Sequence, residues 1–167
     1  KKAAGAHGAE IRGIALSQPL STQTAEAIRR VLADHLVIFF RDQDLSADDF
    51  MAFARAMGQP IEYPFIKGLP GYPEIIEIAK YEHETVNFGG LWHSDTTYLE
   101  VPPMGTLLLA REVPPFGGDT LFANQYLAYE TLSDGMKQML AGLKGVSSSA
   151  KADVTKTREA RIRSSGR

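Results

Sequence analysis

His93-Ser94-Asp95 constrains the fold of this chain more than any other stretch, because a histidine and a carboxylate two residues apart meet on one ion only across extended backbone. In a strand, residues i and i+2 project from the same face, so His93 and Asp95 converge while Trp92 and Ser94 turn away. A helix would set them about 200° apart. The motif therefore predicts a β scaffold. Imidazole nitrogen with carboxylate oxygen suits an intermediate divalent metal such as Fe(II), and a set of two histidines and one carboxylate leaves coordination positions open for chemistry. One further histidine would complete such a set. The spacing alone is a weak signal, so the surrounding residues must carry it.

The chain around the motif reads as short strands with peripheral helices. Ser21 is placed to cap a helix carrying Ile28, Val31, Leu32 and His35 at helical spacing, and Val37 to Phe40 follows as a short buried strand. Ser46-Ala47-Asp48-Asp49 opens a second helix with the stripe Phe50, Phe53, Ala54 and Met57, closed by Gly58 and Pro60. Glu74 to Ala79 and Thr106 to Ala110 read as core strands, bounded by Gly and Pro. Asn124 and Ser133 are candidate caps of two further helices, the latter carrying Met136, Met139, Leu140 and Leu143.

Composition narrows the class. The 167 residues fall within the range of one domain, and 44% hydrophobic with 23% charged residues is the balance of a soluble globular protein. No apolar run approaches the length of a membrane span, and no signal peptide is visible. The absence of cysteine excludes disulfides, thiolate ligands and a cysteine nucleophile, and fits a cytoplasmic location. Residues 147–167 carry six Lys or Arg against two Asp or Glu, so this tail is +4 and the remainder −6. No aromatic residue interleaves the tail's charges, so nucleic acid is not the expected partner. A small molecule is, and a homo-oligomer stays open.

Taken in order, Trp92-His93-Ser94-Asp95-Thr96-Thr97-Tyr98, Pro102-Pro103 and Gly117-Gly118-Asp119-Thr120 resemble the taurine dioxygenase and 2,4-dichlorophenoxyacetate dioxygenase family of Fe(II)/2-oxoglutarate-dependent enzymes. The resemblance also takes in Gly8-Ala9-Glu10-Ile11, Leu16-Ser17-Gln18-Pro19-Leu20 and Val37-Ile38-Phe39-Phe40-Arg41-Asp42-Gln43. It implies a mainly β fold with peripheral helices, the double-stranded β-helix or jelly roll, incomplete at the C-terminus. Residues 1–167 are then the front part of a single dioxygenase domain, and 147–167 a mobile lid segment. It implies Fe(II) as cofactor, 2-oxoglutarate and O2 as co-substrates, and hydroxylation of a small, anionic substrate (a sulfonate, aryloxyalkanoate or alkyl sulfate) coupled to formation of succinate and CO2.

Residue by residue, the resemblance makes His93 and Asp95 the metal ligands and catalytic pair, and sets Thr120 against the distal carboxylate of 2-oxoglutarate. Tyr63, Phe65, Lys67, Asn87 and Phe88 fall where the resembling enzymes line their substrate pocket. Lys67 could meet a sulfonate or carboxylate, although a lone lysine is usually just solvated. His7, His35 and His83 are poorer ligand candidates, His35 because it closes a helical stripe near a C-terminus. The third ligand and the basic residue of the 2-oxoglutarate site have no assigned position in these residues. Turnover by the 167 residues alone is therefore not expected. A zinc hydrolase or a noncatalytic fragment of the same fold are the competing readings.

Overall fold

The computed structural model of the chain describes residues 1–83, 85 and 88–149. Their elements run β1 (Ala9–Ile11), α1 (Thr22–His35), β2 (Ile38–Phe40), α2 (Ala47–Met57), α3 (Gln125–Glu130) and α4 (Asp134–Ala141). The chain divides into two compact units, residues 1–59 with 107–144, and residues 60–106 with 145 onward.

The first unit holds the core. β1 and β2 pair in parallel, with Ala9 opposite Ile38, Glu10 opposite Phe39 and Ile11 opposite Phe40, and α1 is the crossover between them. Ser21 caps α1 by accepting from Thr24 N at 3.1 Å. The helix ends at Leu36, whose φ of 66° turns the chain so that the His35 carbonyl accepts from both Gly8 N and Val37 N. Leu16, Ile28, Leu45, Phe53 and Met57 form the buried cluster, against which Phe40 and Leu32 pack. The Gln43 amide ties the neighbouring loops together. Its oxygen accepts from Leu16 N at 2.9 Å, and its nitrogen donates to the Ile14 and Arg41 carbonyls.

All four predicted helices form on their predicted caps. At α2 the Ser46 hydroxyl accepts from Asp49 N at 3.1 Å, while the Asp49 carboxylate accepts from Ser46 N at 3.0 Å and from the Ser46 hydroxyl at 2.6 Å. These bonds hold the Asp49 carboxyl below its ordinary 3.8. A depressed folded value means that the carboxylate's contribution is fully present above the unfolded pKa and is lost as pH falls through the folded one. Ser46→Ala is expected to cost about 1 kcal/mol at neutral pH in urea unfolding. The gap between wild type and variant should narrow in acid below about pH 3.8, where Asp49 is taking up its proton. A gap independent of pH would show that Asp49 takes no part in the cap.

The strands fared differently, apart from Val37 to Phe40, where β2 forms as predicted but is half-buried rather than buried. A mainly β fold was expected, yet β1 and β2 are the only ladder among the described residues besides isolated bridges. Glu74 to Ala79 and Thr106 to Ala110 carry no strand assignment. Strand structure, unlike helix structure, is completed by backbone groups of another segment, and among the described residues these two stretches join no ladder, Ile75 making only turn bonds with Leu69 and Tyr72. Past Met57 no described residue is buried, and Leu108, Leu121, Phe116 and Val146 stand between 69 and 93% exposed. The predicted α4 stripe shares this state, since α4 buries no residue.

Of the expected lid at 147–167, residues 150–167 lie outside the described residues, and 147–149 form no helix or strand.

Candidate metal centre

His93 and Asp95 lie in the second unit, on a loop rather than on the predicted strand. Residues 92–94 carry no ladder and 95–98 turn, with Leu99 N donating to the Thr96 carbonyl at 3.1 Å. The convergence that the strand was invoked to explain is nevertheless present. His93 Nε2 stands 3.0 Å from Asp95 Oδ1, with both side chains half exposed. The tight stretch before them helps: Gly89 has a φ of 69°, and a Cβ there would come to 3.3 Å from the His93 ring.

Hydrogen bonding fixes the outward atoms of both groups. His93 Nδ1 lies 2.7 Å from the Leu91 carbonyl, which can only accept, so Nδ1 carries the proton and Nε2 of the neutral ring presents a lone pair. That lone pair faces a carboxylate oxygen. Two acceptors at this distance need a cation between them or a second proton on the ring. Adjacent ligand atoms on an octahedral ion with bonds of about 2.1 Å lie about 3.0 Å apart, which is the separation observed here. The donor set and its spacing thus fit a divalent metal. Among the described residues no group of three or more His, Cys, Asp or Glu gathers to hold a metal ion.

Thr106 is the residue that the sequence did not single out. Its hydroxyl donates to Asp95 Oδ2 at 2.7 Å across eleven residues of chain. It was read as the first residue of an apolar strand, and its position before Leu107-Leu108-Leu109 carries no separate signal for a carboxylate partner.

Aromatic contacts join the loop to the predicted substrate residues. Thr96, with a φ of 50°, occupies the left-handed region that β-branched residues rarely adopt, and the turn it makes brings Tyr98 back toward the preceding loop. Tyr98 stacks obliquely on Phe65 at 5.8 Å, and Phe65 meets Tyr63 edge to face at 5.7 Å. Tyr63, Phe65 and Lys67 line an open concavity of about 560 Å³ together with residues of the turn from Gly68 to Pro73. Gly68 permits that turn, because any Cβ there would collide with the Pro73 backbone. Phe88 is partly exposed in a turn, and Asn87 lies outside the described residues.

Thr120 belongs to the first unit, in an exposed segment without regular structure. Just before it, Gly117 and Gly118 take φ of 78° and 75°, in the left-handed region open to glycine. Of the other histidines, His7 packs edge to face on Phe122, His35 ends α1, and His83 stacks on Tyr81 at 5.9 Å.

Comparison with known proteins gives these features a context. The model of the taurine catabolism dioxygenase TauD, TfdA family matches residues 1–165. The chain is 35% identical over 137 residues to an alpha-ketoglutarate-dependent sulfate ester dioxygenase of Pseudomonas putida, covering 81% of this chain and 44% of that protein. It is 35% identical over 149 residues to an alkylsulfatase of Acinetobacter baylyi, covering 89% of this chain and 46% of the relative. To the alpha-ketoglutarate-dependent 2,4-dichlorophenoxyacetate dioxygenase of Cupriavidus pinatubonensis it is 34% identical over 153 residues, covering 81% and 53% respectively. The crystal structure of a taurine dioxygenase from Burkholderia xenovorans superposes with a TM-score of 0.72 at 31% identity, over 87% of this chain and 51% of that one. AAD-2, solved with Mn(II) and N-oxalylglycine, superposes with a TM-score of 0.61 at 26% identity, over 84% and 48%. The chain spans about half the length of the curated relatives it matches. On the match across residues 1–165 and the likeness to these dioxygenases, this chain belongs to the TauD/TfdA family of dioxygenases.

Proposed function

We propose that the complete protein is an Fe(II)- and 2-oxoglutarate-dependent dioxygenase that hydroxylates a small anionic substrate of the sulfate ester, sulfonate or aryloxyalkanoate type. The observation that carries this reading is the 3.0 Å approach of His93 Nε2 to Asp95 Oδ1 within a chain of this family. His93 and Asp95 would hold the ion. With 2-oxoglutarate and O2, the metal supplies the oxidative chemistry that yields succinate, CO2 and a hydroxylated product. Thr120 would donate its hydroxyl to the distal carboxylate of 2-oxoglutarate. Tyr63 and Phe65 offer apolar walls for the substrate, and Lys67 a cation for its anionic end. The relatives that act on sulfate esters and on 2,4-dichlorophenoxyacetate support that substrate range.

The exposed apolar residues after Met57 support a further part of the proposal. In the complete protein a jelly roll closes over them, and its added strands supply the ladders that Glu74 to Ala79 and Thr106 to Ala110 lack.

The test is 2-oxoglutarate consumption by the complete protein against a panel of alkyl sulfates, alkyl sulfonates and aryloxyalkanoates, with and without Fe(II). Succinate should form only with Fe(II) and O2, and fastest with one class of the panel. Hydrolysis of a panel member without O2 or 2-oxoglutarate would overturn the reading in favour of a hydrolase. Thr120→Ala should weaken 2-oxoglutarate binding by about 10- to 150-fold, the equivalent of about 1.5–3 kcal/mol for one hydrogen bond to a charged group. An unchanged KM for 2-oxoglutarate would remove Thr120 from the site.

A further inference from the structure

We infer that Thr106 is a positioning residue for the metal-binding carboxylate, holding Asp95 so that a single oxygen faces His93. The inference rests on the metal reading above and adds to it the manner in which the carboxylate is presented. Asp95 has two oxygens with separate partners: Oδ1 stands 3.0 Å from His93 Nε2, and Oδ2 accepts from the Thr106 hydroxyl at 2.7 Å. A hydroxyl donating to an ionised carboxylate at this distance makes a strong, directional bond. Thr106 is β-branched, so its rotamer is restricted and the direction of the hydroxyl is set by the backbone.

The alternative without Thr106 is a loose carboxylate. The terminal torsion of an aspartate is broad and roughly two-fold, and the Asp95 side chain is 51% exposed. Rotation would exchange the two oxygens, bring both toward the ion or swing the group into solvent. With Oδ2 occupied, the remaining freedom is small and Oδ1 alone is offered. His93 is treated in the same way, since the Leu91 carbonyl holds Nδ1 and leaves Nε2 for the ion. The pair is thus held from behind by two hydrogen bonds that do not depend on the metal. Offering one oxygen rather than two, Asp95 would leave more of a bound ion open to 2-oxoglutarate and O2.

The experiment is a Mn(II) titration of the complete metal-free protein, following the free ion by electron paramagnetic resonance, in wild type, Thr106→Val, Thr106→Ser and Asp95→Ala. Thr106→Val keeps shape and removes the donor, and should raise the Kd for Mn(II) by about 10- to 100-fold. Thr106→Ser keeps the donor and should restore binding close to wild type, a rescue that a purely packing role for the threonine would not give. Thermal melting of the metal-free variants controls for folding, and if the valine variant fails to fold, Thr106→Ala set against Thr106→Ser decides the same comparison. Wild-type affinity in Thr106→Val (or Thr106→Ala) alongside weakened binding in Asp95→Ala would overturn the role of Thr106 and leave the metal centre standing. Wild-type affinity in Asp95→Ala as well would overturn both.

Discussion

Alanine in place of His93 or of Asp95 is expected to abolish Fe(II)-dependent succinate formation by the complete protein. Each change removes an atom of the pair that stands 3.0 Å apart, and the remaining partner cannot define the ion's position. Loss of an outer partner of a metal ligand typically costs about 10- to 100-fold, so loss of a ligand itself should exceed about 100-fold. The two variants should also fail to retain Mn(II) at concentrations that saturate wild type. Succinate formed by the Asp95 variant at the wild-type rate would mean that another carboxylate is the ligand and that the reading of this loop is wrong. The variants should melt close to wild type when metal-free, because both side chains are half exposed and neither is buried in a core.

The second large effect is on stability. Phe53 is 6% exposed, lies in the cluster with Ile28 and Met57, and meets the Phe40 ring edge to face at 5.8 Å. Phe53→Ala removes that area and leaves a cavity between α2 and β2, for which about 3–5 kcal/mol is the usual cost. Measured by urea unfolding, this is a large part of the stability of an ordinary domain. Val146→Ala should be close to neutral in the chain as described, where Val146 is 93% exposed. A loss below about 1 kcal/mol for Phe53→Ala would show that the buried cluster is not the core of the first unit.

Helices and caps were legible in the sequence because their signals are local. Ser21, Ser46, Asn124 and Ser133 each cap the helix expected of them, since a cap joins a side chain to backbone only three residues ahead. The stripe of α2 was read slightly askew: Phe53 and Met57 are buried as expected, but so is Met51, which the spacing did not choose. β1 was missed, being a three-residue strand with no alternation long enough to register. The predicted strands at Glu74 to Ala79 and Thr106 to Ala110 failed to form because a strand is a property of two segments, and sequence reports on one.

The same division holds at the candidate metal centre. The sequence by itself determined the chemistry: a histidine and a carboxylate two residues apart, flanked by residues whose order resembles one family of dioxygenases. It also determined which atoms could serve, since only nitrogen and carboxylate oxygen donors occur at 93 and 95. Tertiary structure alone decided how those atoms are held. The Leu91 carbonyl sets the histidine tautomer, Thr106 reaches the carboxylate from eleven residues away, and Tyr98 folds back onto Phe65, which in turn meets Tyr63. None of these partners is announced by spacing, because a threonine before an apolar run reads the same whether or not a carboxylate waits for its hydroxyl. Residue type fixes which bonds a side chain can make, and only the path of the backbone fixes which of them it does make.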